Sequence, residues 1–222
     1  MAVCPSSNLI GLSGALALGL VLLFPMHALA QPDPAGNEIA MDEAQASWRA
    51  AALERARRVH METLPEDCSP DAAASTDMEQ FHILWIGEES AVREALLVGF
   101  ACNIGAYNLS TVYVLSDEHG VASPVWFPSP RFDIRYAGGD SEGEVEALEI
   151  AGSFESREVV NASYDADGRV MEEFNKWRGL GDAFSVARWG FRHGKFQLFY
   201  VAVDATYDGE ANPQVLMDED IW

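Results

Sequence analysis

The sequence predicts a mainly β fold, an antiparallel sandwich or a barrel-like sheet, with one N-terminal α-helix after a signal peptide. From residue 78 onward, short runs of aromatic and branched residues are separated by Gly, Pro, Asp and Ser. Their spacing of about ten residues is typical of sandwiches and barrels. No helical pattern lies between these runs to supply the crossovers of a parallel sheet. We therefore expect a signal peptide at 1–30, a linker and helix at 31–77, and a β-rich domain at 78–222.

The first thirty residues have the order of a secretory signal peptide. Residues 8–24 carry no charge, Pro25 follows, and Ala28-Leu29-Ala30 is a small-residue site before a polar stretch. This order predicts cleavage after Ala30 and a periplasmic or secreted protein with no stable membrane span. An uncleaved anchor is the alternative, because residues 1–7 contain no Lys or Arg. The apolar run is, however, shorter than the ~20 residues of a bilayer span.

The expected mature chain contains two cysteines, Cys68 and Cys102. An even number of cysteines in an exported protein indicates a disulfide. Closing a loop of about 34 residues would stabilise the fold by about 3–4 kcal/mol. A metal site or a catalytic thiol is the alternative, but neither cysteine has the C-x-x-C or histidine partner that such a site needs.

The formal net charge of −21 limits the possible partners. Such a charge repels nucleic acid and anionic membrane surfaces, and it attracts cationic proteins, polyamines and divalent ions. A cationic envelope protein is therefore a candidate partner. Solubility in an exposed environment is the alternative explanation of the charge.

The segment at 31–39 reads as a Pro/Gly linker, and residues 41–61 as a helix. Apolar or small residues recur along one helical face, at Met41, Ala44, Trp48, Ala52, Ala56 and Val59. An amphipathic helix of this kind either binds a partner or packs on its own domain, and the second case is the commoner one.

Ten strands are expected after the helix. They are Phe81–Ile86, Ala95–Ala101, Thr111–Leu115, Val125–Phe127, Phe132–Tyr136, Val145–Ile150, Val159–Tyr164, Val170–Asn175, Ala187–Arg192 and Lys195–Val203.

Two hairpins can be predicted in detail. A two-residue turn at His193-Gly194 places Arg192 opposite Lys195 and Phe191 opposite Phe196. In the turn at 165–168, we expect Gly168 to supply a positive φ.

A loop with two glycines, residues 177–182, lies between these hairpins. Arg178 and Asp182 are placed to close its neck with an ion pair. Arg178 is then either an anion-binding residue or, as we favour, a brace of the loop.

Two motifs together resemble a known family. Residues 102–108 match the pattern C-x-x-G-A-Y-N, and residues 178–182 read R-G-L-G-D. An aromatic hairpin then follows, with Trp189, Phe196 and Leu198. The chain from Phe81 to Trp222 resembles the bacterial exported domain-of-unknown-function family numbered 1176. The resemblance implies an exported β-rich domain, and it brings no activity, cofactor or catalytic residue.

This chain departs from the family pattern at two cysteines. The family has one directly after R-G-L-G-D and another near the end, where this chain has Ala183 and the segment 206–209. Losing both together is what we expect of two disulfide partners. The chain thus resembles a short, divergent member.

Other motifs in the sequence lack features that a catalytic or metal site requires. The G-x-S-x-G match at 139–143 lies in an acidic loop and lacks the strand and helix of a nucleophile elbow. The acidic turn at 165–168 lacks the bidentate Glu of a calcium loop. The histidines lack zinc-ligand spacing. We expect no catalytic residue, no metal and no cofactor.

The sequence favours a non-enzymatic binding or envelope-associated module. The alternatives are a carboxylate-based hydrolase, an inhibitor of a cationic wall-degrading enzyme, and a purely structural envelope protein. The candidate binding residues are Tyr107, Asn108, Trp177, Arg178 and Asp182. A perturbed carboxyl pair in a deep pocket would favour the hydrolase, and an aromatic patch around Tyr107 and Trp177 would favour the binding module.

Overall fold

The computed structural model describes residues 34–73, 78–87, 90–140 and 143–220. The described strands all belong to one compact unit, Ala40–Trp222. The expected signal peptide lies outside the described residues. Among the residues that are described, no helix combines the length and the apolar character needed to cross a membrane.

Two helices and twelve strands make up the described chain. The helices are α1 (Pro34–Thr63) and α2 (Pro70–Ala73). The strands are β1 (Met78–Ile86), β2 (Val92–Ile104), β3 (Leu109–Asp117), β4 (Ala122–Pro124), β5 (Phe127–Tyr136), β6 (Val145–Ser156), β7 (Glu158–Val160), β8 (Ser163–Asp165), β9 (Val170–Lys176), β10 (Phe184–Arg192), β11 (Lys195–Asp204) and β12 (Gln214–Asp218). A 3-10 turn, Ala137–Gly139, links β5 to β6.

The strands form three antiparallel sheets. The first has the order β1-β2-β3-β4, with β7 also paired to β3, and the second has the order β12-β11-β10-β9-β8. The third is the hairpin of β5 and β6. Within the described chain these sheets stay open and do not close into a barrel. The mainly β class is therefore confirmed, in its sandwich form.

The main core lies between the inner faces of the first two sheets. Its largest fully buried side chains include Ile83, Leu97 and Tyr113 from the first sheet and Trp189 and Phe191 from the second. The aromatic rings of this core favour edge-to-face contacts with one another. Even the polar atom of Trp189 is satisfied, because its Nε1 donates to the Pro128 carbonyl at 2.8 Å and so ties β5 to this core.

The other face of the first sheet is covered by α1. Ala52 and Ala56 are fully buried there, against Leu96, Val98 and Phe100 of β2. Small alanine side chains let the helix approach the sheet closely. The structure thus confirms that the helix packs on its own domain.

The helix begins earlier than the sequence indicated. It starts at Pro34 and not at Met41, so the linker prediction is wrong from Pro34 to Ile39. Proline fits the first turn because the N–H it lacks would have no partner within the helix there.

Three strand predictions need correction. The strand expected at Val125–Phe127 is wrong, since β4 ends at Pro124 and β5 begins at Phe127. Prolines at 124 and 128 lack the N–H that a continuous ladder needs. The strand expected at Val159–Tyr164 is split at Asn161, which has φ of 45°. A further strand, β12, was not predicted at all. Its run is short, and it becomes a strand only through its hydrogen bonds to β11.

Both hairpin turns are present, one of them with a different residue in the left-handed region. The last hairpin has the predicted register, and His193 and Gly194 have φ of 49° and 79°. In the other turn the positive φ belongs to Arg169, at 53°, so the prediction for Gly168 is wrong. A Cβ at Gly168 would lie 2.6 Å from Oδ2 of Asp165, so a larger residue there would require the Asp165 side chain to move.

The predicted disulfide between Cys68 and Cys102 is confirmed. Both cysteines are buried, and the N–H of Ser69 donates to the Cys102 carbonyl at 2.9 Å. The bond therefore ties the segment after α1 to β2.

Replacing both cysteines, as C68A/C102A, should lower the free energy of unfolding by about 3–4 kcal/mol, because the unfolded chain regains the entropy of an open loop. Urea unfolding at neutral pH measures this change. Wild-type protein in reductant should show the same loss, and an unchanged midpoint in both samples would contradict the prediction.

Candidate functional site

The turn between β2 and β3 contacts the end of β9 through Asn108. Its Nδ2 donates to the Lys176 carbonyl at 2.9 Å and to Oδ1 of Asn175 at 3.2 Å. The N–H of Lys176 donates back to Oδ1 of Asn108 at 3.3 Å. One amide side chain thus joins the two large sheets.

Asn161 completes this network. Its Nδ2 donates to Oδ1 of Asn108 at 2.8 Å and to the Phe174 carbonyl at 2.9 Å, and its Oδ1 accepts the N–H of Leu109 at 2.9 Å. Sequence analysis placed this asparagine inside the expected strand Val159–Tyr164 and assigned it no role. Its position between two very short β runs was the available indication, because asparagine tolerates a positive φ.

In the second motif, residues 178–182, the predicted ion pair between Arg178 and Asp182 is present. Nε of Arg178 donates to Oδ1 of Asp182 at 2.7 Å, and a terminal nitrogen of the same guanidinium donates to Oδ2. The guanidinium also donates to the Tyr207 carbonyl at 2.9 Å and lies 5.1 Å from the centre of that ring. With its donors used in this way, Arg178 has the geometry of a brace.

Asp182 is the buried member of this pair, at 4% exposure. Hydrogen bonds from Arg178 hold the pKa of this carboxyl well below its usual range, although burial acts in the opposite direction. The N–H of Gly209 donates to its Oδ2 at 2.9 Å and acts in the same direction as Arg178.

The two places where the resemblance implied cysteines, Ala183 and the segment 206–209, both adjoin the Arg178–Asp182 pair. Ala183 is fully buried directly after Asp182, and the segment 206–209 contacts the Arg178–Asp182 pair through Tyr207 and Gly209. This arrangement agrees with the loss of two partners of one disulfide.

Around these contacts, the two motif loops expose a set of apolar side chains that we call the motif surface. Tyr107 contacts the second loop, since its hydroxyl lies 3.5 Å from the Trp177 carbonyl. Trp177 itself is partly buried against Phe132. The exposed members, with their exposed fractions, are Ile104 (71%), Tyr107 (41%), Leu109 (42%) and Leu180 (78%).

The five predicted site residues therefore have different surroundings. The structure brings Tyr107, Asn108 and Trp177 into one contact network, with Arg178 and Asp182 in the adjoining loop. Of the five side chains, Tyr107 is the exposed apolar one, whereas Asn108 and Asp182 are engaged in hydrogen bonds within the fold.

A cavity of about 190 Å³, which we call the carboxyl cavity, lies beside the asparagine network. Glu173 and Asn175 follow Met171 on the inward-facing side of β9, and Ser185 lies opposite Asn175 on β10. The inner face of the sandwich thus changes from apolar to polar at this end. The complete lining is Ser129, Pro130, Phe132, Phe154, Ser156, Glu158, Val160, Glu173, Asn175, Ser185 and Ala187.

Glu173 is the unusual acid of this cavity. Burial raises its pKa to about 7, and the N–H of Val160, which donates to its Oε2 at 2.9 Å, offsets part of that effect. Glu158 also borders the cavity, but its carboxyl lies on the α1 side of the first sheet, 3.5 Å from Nδ2 of Asn103. At neutral pH the cavity therefore holds a carboxyl that is protonated about half of the time.

Sequence reasoning missed the inward-facing acid Glu173. The indication was present in β9, where Glu173 and Asn175 alternate in phase with the core residue Met171. Polar residues at inward-facing strand positions are informative because they need partners or a ligand.

A larger groove of about 500 Å³ lies at the opposite end of β10. Trp126, Phe191 and Phe196 make much of its lining, with Glu155 and Lys195 as its charged members. Within the described residues, no group of three or more His, Cys, Asp or Glu is arranged to hold a metal ion.

Comparison with known proteins finds one matching family and a similar protein. It matches the family described as "Protein of unknown function (DUF1176)" over residues 25–213, which confirms the resemblance drawn from the two motifs. It is also similar to the Uncharacterized protein YpfG of Escherichia coli (strain K12), with 29% identity over 119 residues. That alignment covers 53% of this chain and 29% of YpfG, so the chain spans less than a third of its relative's length. No solved structure matches the chain.

Replacing Asp182 by asparagine should destabilise the protein at pH 7 and reduce the dependence of its stability on acid. Because the folded-state pKa of Asp182 is depressed, its contribution is present above the ordinary carboxyl value of 3.8 and is lost as pH falls below it. Thermal unfolding of both proteins between pH 2 and 7 measures the difference.

The matched control is Asp133→Asn, at an exposed position on β5. The stability of this control should depend on pH as that of wild type does. A D182N curve parallel to that of wild type at every pH would contradict the assignment.

Proposed function

We propose that this chain, which belongs to the family described as Protein of unknown function (DUF1176), is an exported, non-enzymatic binding module of the cell envelope. Its motif surface docks a cationic protein. The descriptions of the family and of YpfG contain no activity. The proposal therefore rests on the chain's own residues.

Export is supported by two features. The order of charge-free run, proline and small-residue site predicts cleavage after Ala30 and a periplasmic or secreted mature protein. The disulfide of Cys68 and Cys102 is of the kind that persists in oxidising compartments.

The exposed apolar side chains of the motif surface carry the binding proposal. Contiguous exposed apolar area on soluble proteins often marks an interaction site. Leu180 is 78% exposed at the tip of a loop that the Arg178–Asp182 pair closes. Tyr107 stands on a turn held by the hydrogen bonds of Asn108. Loops held in one conformation lose little entropy when a partner binds.

The charge of the chain indicates the kind of partner. A net charge of −21 speeds encounter with a cationic protein and disfavours acidic ones. A concrete case is a cationic wall-degrading enzyme such as a lysozyme, which the module would inhibit by occupying its surface.

We expect Leu180→Asp to weaken capture of a cationic envelope protein by about tenfold or more, because a charge would replace an apolar contact at the interface. Envelope extract is passed over immobilised mature chain, residues 31–222, at low and high salt. The control is Val121→Asp, which adds the same charge at a 60% exposed position in the turn between β3 and β4.

Support requires a salt-sensitive partner that wild type and V121D retain and L180D loses. Equal retention by all three would contradict the role of the motif surface. Capture of no protein at either salt would contradict the binding proposal itself.

The carboxyl cavity favours a second candidate function, hydrolysis assisted by a carboxyl group. Glu173, with its pKa near 7, would act as the acid that protonates the leaving group. If wild-type protein releases products from cell-wall glycan, Glu173→Gln should lower the rate by about 100-fold or more, whereas Glu172→Gln on the opposite face should not. Absence of any product release by wild type would contradict this candidate.

A further inference from the structure

We propose that the carboxyl cavity binds the end of a primary alkylamine. The shared chemistry is an ammonium group on an alkyl chain, supplied either by a lysine side chain of the docked protein or by a free polyamine. The lysine source rests on the proposed function, whereas the polyamine source does not.

The size of the cavity limits what it can take. Pockets for drug-sized ligands measure about 300–1,000 Å³. A cavity of about 190 Å³ therefore suits one side chain or the end of a flexible chain. This limit favours a slender group at the site.

The polar lining matches an ammonium group. Such a group has three N–H donors and no acceptor. The lining includes the carboxyl of Glu173 together with Asn175 and the serines at 129, 156 and 185. The structure shows one hydrogen bond to the Glu173 carboxyl within the described chain, from Val160 to Oε2. Oε1 of Glu173 is thus placed to accept from a ligand.

The apolar lining suits the rest of the ligand. Phe132 and Phe154 belong to the β5–β6 hairpin and form part of the wall. Aromatic faces attract cations within about 6 Å. The ring of Phe154 already has the guanidinium of Arg131 at 6.0 Å from its centre, and Phe154 is itself exposed. An alkyl chain can contact these rings while its charged end meets the Glu173 carboxyl.

Binding an ammonium group should be linked to the ionisation of Glu173. The facing elements present few charges. Glu158 of β7 has its carboxyl on the α1 side of the first sheet, β10 contributes the uncharged Ser185 and Ala187, and the hairpin contributes exposed Arg131 beside Phe154. A bound cation favours the carboxylate form of Glu173, so its proton is released. Affinity should consequently rise as pH increases through about 7.

The cavity adjoins the motif surface. Asn175 lines the cavity and accepts a hydrogen bond from Asn108, the neighbour of Tyr107 in the β2–β3 turn. A protein docked on Tyr107 would therefore have the cavity close to its contact area.

Isothermal titration calorimetry of the mature chain tests the proposal with two probes, spermidine and Nα-acetyl-lysine amide. At pH 7, titration in two buffers of different ionisation heat should reveal release of about half a proton per ammonium bound, given a pKa of about 7. Between pH 6 and pH 8 the affinity should rise about tenfold, as the ionised fraction of Glu173 rises.

Glu173→Gln should abolish both the proton release and the rise in affinity. The control is Glu172→Gln, because Glu172 lies on the opposite face of the same strand and pairs with Arg188 at 2.6 Å. Should the E173Q variant not fold, the wild-type pH series still tests the linkage. Binding of neither probe, or an affinity that does not change with pH, would overturn the proposal.

The probes and variants also separate this inference from the proposed function. Lysine-amide binding that survives in L180D, while protein capture is lost, supports both proposals as distinct contacts. Capture of a cationic protein without any binding of either probe overturns the cavity proposal and leaves the motif surface standing. Binding of spermidine alone assigns the site to free polyamines, whereas binding of the lysine amide extends it to protein partners.

Discussion

The structure depends on the burial of β2 on both of its faces. Leu97 points into the core between the sheets, whereas Leu96, Val98 and Phe100 lie beneath α1. A strand that is apolar on both faces is stable only when a layer covers each of them. The second sheet and the helix supply these layers, and the Cys68–Cys102 bond fastens the segment after the helix to the strand itself.

The same sandwich is less complete at the end where the candidate sites lie. Its inner face is closed by Trp189 and Phe191 along most of its length, but Glu173 and Asn175 occupy inward positions near the asparagine network. A carboxyl at such a position loses hydration and titrates near neutral pH as a consequence. Stable proteins depart from apolar interiors mainly where function requires it, which is why this cavity carries our second proposal.

Some residues of the two motifs stabilise the fold, whereas others are exposed at the surface. Asn108 and the Arg178–Asp182 pair use their polar atoms on the chain's own backbone and side chains, so they hold the loops in place. Tyr107 and Leu180, carried by those loops, remain exposed. A motif can thus combine bracing residues with neighbours that are available to a partner.

The sequence by itself determined the features that depend on local contacts or on few partners. These include the short strands spaced along the chain, the register of the hairpin at His193-Gly194, and the pairing of two cysteines. They also include the ion pair of Arg178 with a carboxyl four residues away. Only the tertiary structure decided the role of Asn161 and the composition of the carboxyl cavity. The physical reason is separation along the chain: the cavity needs β5, β6, β7, β9 and β10 to meet before Glu173 loses water. No single stretch of sequence contains that environment.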